Sequence, residues 1–324
     1  MINEVNAIKT FLIVDGHSIA YRSFHAVTAK LTAPDGTPTA MITGFLNILF
    51  RVQDIINPDC NIIVFDAHGK TFRHELLHTY KSERKPINEE LSLQFPLLQE
   101  LLKYMGYSVI IRSGVEADDV VASVSKLVHA SGYTGVILSS DKDLFQLLDT
   151  GVIMIRPVKN GLSGAEFYDT NAFVKEFGFM PSSMSDYLAI VGDRVDNVKG
   201  IAGIGEKGAK KLLAEYPTIE EIYKSLPELK RAIRTKLEAH GLGHALWTRE
   251  NIIRLRDNIF DGEEGKRFLD ECMNFSPDIQ RAEELAARLG LSGLLKRMGS
   301  NAQITARTID VTGKIIMPEC DIIT

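Results

Sequence analysis

The sequence predicts an α/β protein in which a mostly parallel central sheet is flanked by helices and followed by a helical region. Three observations carry this. Short apolar runs alternate with segments of helical period through the first half of the chain. The runs at residues 8–14, 62–65 and 136–138 lead directly into acidic or serine-aspartate segments. From Asp169 to about residue 260 the apolar spacing is helical.

Residues 8–14 read as a strand buried on both faces that ends in Asp15-Gly16. A helix follows over residues 40–55, with Ile42, Phe45, Leu46, Leu49 and Ile56 on its apolar stripe. Residues 62–65 form a second buried strand, ending in Asp66, after which residues 69–86 turn polar, basic and aromatic. An amphipathic helix over 91–105 and a short strand over 107–111 lead to Val115-Glu116-Ala117-Asp118-Asp119-Val120. Val120, Val121, Val124, Leu127 and Val128 continue from there as a buried helix. The strand at 136–138 ends in Ser139-Ser140-Asp141-Lys142-Asp143, and residues 152–155 add another. Later helices are expected at 182–191, 209–216, 217–222 and 230–237, with two more inside 263–297. The tail after Gly299 is polar, then strand-like around Ile315 and Ile316. These changes divide the chain into an α/β core (1–168), a helical region (169–262) and C-terminal helices with a tail (263–324).

At 324 residues the chain can bury a sizeable core. Its composition excludes disorder and membrane classes, and no stretch approaches the roughly 18 apolar residues of a membrane helix. Cys60, Cys272 and Cys320 are odd in number and far apart, which fits neither a disulfide framework nor a zinc pattern and suits a reducing compartment. Asn3 and Glu4 interrupt the N-terminus before any apolar run, so no signal peptide and a cytoplasmic location are expected. The net charge of −5 gives no support to a nucleic-acid partner, but local distribution matters more than the sum.

The acidic triplet Glu116, Asp118, Asp119 heads a buried helix, whose dipole favours negative charge there. Carboxylates held together in a partly buried site need a counter-charge, which a divalent cation supplies. In a parallel sheet, ligands bind outside the carboxyl ends of the strands, and Asp15, Asp66, Asp141 and Asp143 all fall at such ends. A single strand-end aspartate is often only a cap; three such ends plus the triplet point to one shared rim.

Gly203-Ile204-Gly205-Glu206-Lys207-Gly208 formally matches a dinucleotide fingerprint, but residues 193–199 before it are polar where that motif needs a buried strand. A helix-hairpin-helix fits better: its new helix N-terminus suits a phosphate, and Lys207, Lys210 and Lys211 add charge. Lys70, Arg73, Tyr80, Lys81, Arg84 and Lys85 mix cations with an aromatic, as phosphates and a splayed base require, and follow directly from Asp66. Gly161-Leu162-Ser163-Gly164-Ala165 only approaches a nucleophile elbow, and no histidine has metal-ligand spacing with a cysteine.

These segments carry a family signature. Val14-Asp15-Gly16, Val64-Phe65-Asp66, Gly69-Lys70-Thr71-Phe72-Arg73, Tyr80-Lys81-Ser82-Glu83-Arg84, the triplet, Ser140-Asp141-Lys142-Asp143, Gly192-Asp193-Arg194-Val195-Asp196-Asn197 and the glycine turn occur in order over about residues 8–260. In this the chain resembles the 5′-nuclease (flap endonuclease) family, most closely the 5′→3′ exonuclease domain of bacterial DNA polymerase I. No polymerase region follows in the sequence, from which a free-standing form is expected.

The resemblance implies a PIN-like nuclease core, a helical arch at about 69–100 and a helix-hairpin-helix subdomain. It implies two Mg²⁺ or Mn²⁺ ions, one drawing on Asp15, Asp66, Glu116 and Asp118 and the other on Asp119, Asp141, Asp143, Asp193 and Asp196. None of these nine positions is substituted. Lys81 and Arg84 would reach the scissile phosphate from the arch, Arg22 would add a phosphate contact, and Tyr80 would stack on a terminal base. Lys70 and Arg73 would contact DNA. Gly203, Gly205, Lys207, Gly208, Lys210 and Lys211 would hold the duplex, with a potassium ion at the hairpin. The expected activity is 5′→3′ exonuclease or 5′-flap endonuclease cleavage to 5′-phosphate products, by a monomer acting in replication or repair on DNA with 5′ ends, flaps or nicks. A branched-DNA binder that does not cut, and a ribonuclease acting on RNA–DNA hybrids, are the alternatives.

Overall fold

The structure, a computed structural model, describes residues 9–158, 161–260, 262–291 and 293; the strand-like stretch at Ile315 and Ile316 lies outside them. The first half of the chain runs β1 (Thr10–Asp15), α1 (Gly16–Ala26), α2 (Ala40–Ile56), β2 (Cys60–Asp66), α3 (Phe72–Leu76), α4 (Glu89–Tyr104), β3 (Ser108–Arg112), α5 (Ala117–Ala130), β4 (Thr134–Leu138), β5 (Ile153–Val158) and β6 (Gly161–Tyr168). The sheet order is β3-β2-β1-β4-β5-β6. Strands β1 to β5 are parallel, and β6 returns antiparallel along β5. β6 is absent from the sequence expectation because it opens Gly-Leu-Ser-Gly and carries no apolar run.

Alternation within the strands sets the two layers. Phe11, Ile13, Ile62, Val64, Ile137 and Met154 face a core built with α5. Leu12, Val14, Ile63, Phe65, Val136 and Leu138 face the opposite core, with Ile19 of α1, Phe45 of α2 and Leu98 of α4. Strands apolar on both faces belong to a sheet covered on both sides, so the polar strand ends must emerge at the rims.

The second half runs α6 (Thr170–Phe177), α7 (Met184–Val191), α8 (Glu206–Glu215), α9 (Ile219–Lys224), α10 (Arg231–His240), α11 (Leu242–Thr248), α12 (Gly262–Met273) and α13 (Ile279–Arg288). Leu188, Ile204, Leu212, Leu237 and Ile252 continue the core that α5 shares, so the helical region seats directly on that face. Leu269 and Cys272 of α12 join the same core, while Ala282, Leu285 and Ala286 of α13 join the other.

The region expected to arch over the site does not stand clear of it. It consists of α3, turns through residue 83, an extended stretch and α4. Leu91, Leu98, Leu101 and Leu102 of α4 are buried against the sheet, which fixes that helix to the core. The turns touch the acids at the strand ends, Tyr80 through its hydroxyl to Glu116 and Lys81 through its backbone N–H to Asp196 O.

Candidate active site at the carboxyl ends of the strands

At the rim where β1, β2 and β4 end lies an open cavity of about 1160 Å³. Eight of the nine expected acids line it: Asp15, Asp66, Glu116, Asp118, Asp141, Asp143, Asp193 and Asp196. Arg22, Tyr80, Lys81 and Arg84 line it too, beside His17, Lys142 and Arg156.

Backbone N–H groups and hydroxyls aim most of these carboxylates. Asp15 caps α1, accepting Ser18 N at 3.0 Å, while Ser139 Oγ donates to its other oxygen at 2.7 Å. Asp66 accepts Ala117 N at 2.8 Å, which ties the end of β2 to the start of α5. Asp141 accepts Asp143 N at 2.9 Å. Asp193 accepts Val195 N at 2.7 Å and Asp196 N at 3.2 Å. The loop carrying Asp193 and Asp196 closes on a ladder between Gly192–Asp193 and Val198–Lys199.

The acids crowd one another. Burial, then the charges of Asp141 and Asp66, push Asp15 up to about 7 despite the hydrogen bonds from Ser139 and Ser18. Asp143 is pushed to about 8, first by burial and then by Asp141. Burial and the charges of Asp141, Asp15 and Asp66 hold Asp118 well above the usual carboxylate range. His17 is shifted the other way by burial; its Nδ1 accepts Asp66 N at 3.0 Å and its ring stacks on Phe95.

Cations from the descending turns enter this field. Lys81 Nζ bonds Glu116 at 2.5 Å and lies 3.8 Å from Asp196. Burial opposes the Lys81 charge, but Glu116 and Asp196 outweigh it and raise its pKa. Arg84 bonds Asp196, and Lys142 lies 3.5 Å from Asp193. Lys81 N also donates to Asp196 O at 3.0 Å, and Asn197 Nδ2 to Thr79 O, which pins the turn to the Asp193 loop.

Four expectations are corrected by these positions. Asp119 is 0 % exposed and outside the cavity lining. Arg73 grips both its oxygens at 2.6 and 2.8 Å, and Glu116 N and Arg256 N donate to it as well, so no lone pair is left to face a metal. Arg73, expected on DNA, is 1 % exposed and turned inward to Asp119, Glu116 and the Ile252 carbonyl. Tyr80, expected to stack on a base, is 5 % exposed; its hydroxyl donates to Glu116 and Asp196, and its ring packs in the core. Lys210 lies over the Phe177 ring, 4.2 Å from its centroid, and so points back to α6.

At the hairpin, Gly203 takes φ +80° and Ile204 anchors the turn in the core, leaving Gly203, Gly205, Lys207 and Lys211 exposed and Gly208 half-buried. Lys236 Nζ donates to Gly203 O at 2.7 Å, so an ammonium already sits on one carbonyl of the turn. Lys70 is exposed beyond Asp66.

Sequence reasoning missed Ser139, His17 and Arg156. Ser139 was readable as a hydroxyl at a strand end. Arg156 was readable as the one cation in the strand Ile-Met-Ile-Arg-Pro-Val.

Among the described residues, no three carboxylate, histidine or cysteine groups stand close enough, as they are, to enclose an ion. The donor set nonetheless fits hard divalent cations. It is all carboxylate oxygen, burial and neighbouring charge raise the proton affinity of Asp15, Asp118 and Asp143, and Asp143 Oδ1 is buried without a hydrogen-bond partner.

Fold and site together define a mostly parallel α/β sheet with a carboxylate-lined cavity at the carboxyl ends of its strands. Two family models cover most of the chain, the 5′-3′ exonuclease N-terminal resolvase-like domain over residues 10–178 and the 5′-3′ exonuclease C-terminal SAM fold over 179–259. The chain belongs to the 5′-3′ exonuclease family. It is 38% identical over 240 residues to a 5′-3′ exonuclease of Aquifex aeolicus, covering 74% of this chain and 81% of that protein. It is 40% identical over 289 residues to the thermostable DNA polymerase I of Thermus aquaticus, covering 89% of this chain and 33% of the polymerase, so it spans about a third of that relative. The bacteriophage T5 D15 flap endonuclease, solved in complex with DNA and metal ions, shares the fold with a TM-score of 0.61 at 21% identity, over 86% of this chain and 99% of that one.

Proposed function

We propose that the chain hydrolyses phosphodiester bonds of DNA bearing a 5′ end, nick or flap, as a 5′→3′ exonuclease and flap endonuclease that leaves 5′-phosphates. The convergence of eight carboxylates from separate elements into one cavity, with Lys81 and Arg84 at its edge, supports this reading most strongly. Asp15, Asp66, Glu116 and Asp118 would hold one divalent ion, and Asp141, Asp143, Asp193 and Asp196 the other. Bound there, Mg²⁺ or Mn²⁺ supplies Lewis acidity and a lowered pKa for water.

The chain's own groups do the rest. Lys81, held protonated beside Glu116, faces the cavity and offsets charge on the phosphate. The Ser139 hydroxyl and the α1 N-terminus keep Asp15 aimed at the rim. The exposed hairpin at Gly203 to Lys207 offers backbone N–H groups and Lys207 to the duplex backbone.

The test is cleavage of a 5′-flap duplex, a nicked duplex and an RNA–DNA hybrid, each with Mg²⁺ and with excess EDTA. Cleavage of the flap or nick that EDTA stops is expected, and cleavage that persists in EDTA would refute the metal requirement. Cutting of the hybrid alone would move the assignment to a ribonuclease. Lys81→Ala is expected to lower turnover by about 10²- to 10³-fold; an unchanged rate removes Lys81 from the chemistry.

A further inference from the structure

The cavity does not end at the acids. Ser18, Arg22 and His25, three and four residues apart, place one stripe of α1 along its wall, leading away from Asp15. Arg22 is seven residues beyond Asp15, about 10 Å along the helix at 1.5 Å per residue. Arg156 faces the same end. Leu138 pairs with Ile155, and Ser139 N bonds Ile155 O at 3.2 Å, so Arg156 emerges at the rim on β5. β5 is two strands from β1, again about 10 Å at the usual strand spacing.

Both guanidiniums are short of partners. Lys81, Arg84 and Lys142 each have a cavity carboxylate. Among the described residues Arg22 makes no ion pair, and burial, then the Arg156 charge, depresses its pKa. Among the described residues Arg156 has the half-exposed Glu166, at 3.8 Å, as its ion-pair partner and a hydrogen bond with Tyr168, while its Nε is buried without a hydrogen-bond partner. The rings of Phe145 and Tyr168 back its guanidinium, with centroids 5.4 and 5.7 Å away, and so limit its freedom. Two cations held together with an unmet donor are a site for an anion.

We infer that Arg156, with Arg22, forms a second phosphate subsite in this cavity, which holds a backbone phosphate of the DNA one or more nucleotides from the bond that is cut. The inference rests on the nuclease reading and adds to it a residue outside the acidic motifs. An incoming phosphate relieves the repulsion between the two arginines and displaces Glu166 from Arg156. The subsite therefore contributes binding and register, while the acids and Lys81 serve the bond that breaks.

The test uses the full chain and a 5′-flap duplex. Binding is measured by fluorescence anisotropy in EDTA across a KCl series, and cleavage in Mg²⁺. Arg156→Gln is expected to raise Kd and KM about tenfold, the worth of one charge-assisted hydrogen bond, and to leave kcat within twofold. It is expected to flatten the plot of log Kd against log salt by about 0.7 to 0.9. Arg156→Lys should retain the salt slope, and Glu166→Gln should tighten binding by freeing the guanidinium. In a second measurement, single methylphosphonates walked outward from the cut should slow the wild type at one neighbouring linkage, and Arg156→Gln should lose that sensitivity. A wild-type profile with no sensitive linkage beyond the cut one overturns the subsite, whether or not the variant folds. So does a folded Arg156→Gln with the wild-type salt slope. A wild type that neither binds nor cuts the duplex overturns the nuclease reading, and this inference with it.

Discussion

Adjacent carboxylates at the head of α5 have opposite roles, and helix geometry separates them. A step of one residue turns the side chain by about 100°, so Asp118 looks into the cavity while Asp119 looks into the protein. Asp119 reaches back to Glu116 N, as the third residue of a capping box does, and locks Arg73 in a two-point grip. Breaking a buried pair from one side leaves an uncompensated charge. Asp119→Ala is therefore expected to lower the stability of the metal-free chain by about 3–5 kcal/mol in urea denaturation. Asp118→Asn removes a carboxylate that its neighbours repel, so it should preserve or raise the melting temperature of the metal-free chain while abolishing flap cleavage. Equal losses of stability in the two variants would contradict this division. The motif Glu-Ala-Asp-Asp announced a site in the sequence, but the partner that claims Asp119 lies 46 residues earlier in the chain and could not be read from it.

At the scale of elements, the loop carrying Asp193 and Asp196 depends on two facing glycines. Gly192 has φ +76°, and a Cβ there would lie 2.3 Å from Gly200 N; one on Gly200 would lie 2.3 Å from the Val191 carbonyl carbon. Backbone meets backbone at this crossing, and no side chain can move aside. Gly192→Ala is expected to cost about 1–3 kcal/mol and to weaken Mn²⁺ binding in isothermal titration, because the loop must shift with both its aspartates. The parallel strands and their acidic ends were legible because period and strand length are local properties. The turns at residues 78–83 were not. Their polar, basic composition suits a raised arch, yet contacts from Asp196 and Asn197, more than a hundred residues later, hold them down in this structure. β6 was illegible for the opposite reason, since an edge strand needs little apolar sequence of its own.

For the whole molecule, the crowded rim makes stability depend on pH and on divalent ions. Asp15 and Asp143 titrate near 7 and 8 in the folded chain, and Asp118 is raised as well, against a free-carboxylate value of 3.8. The native state thus holds protons that the unfolded chain has released. Their contribution is whole below about 3.8 and is lost as pH rises through about 7 to 8. Metal-free protein should therefore melt at progressively lower temperature between pH 5.5 and 8.5 in this respect, and Mn²⁺ should raise the melting temperature more at the alkaline end. A metal-induced gain in melting temperature that is the same at both ends would argue against carboxylates as the ligands.

The Arg73 guanidinium reaches past Asp119 to the carbonyls of Ile252 and Arg254, and Arg256 lies across the Phe72 ring at 3.2 Å. An early segment of the α/β half is in this way fastened to the last turns of the helical half by hydrogen bonds from a guanidinium that Asp119 and Glu116 also hold. Neither half can come away intact, so calorimetry should record one cooperative melting event, and a fragment ending near residue 178 should behave as a loosened, protease-sensitive chain.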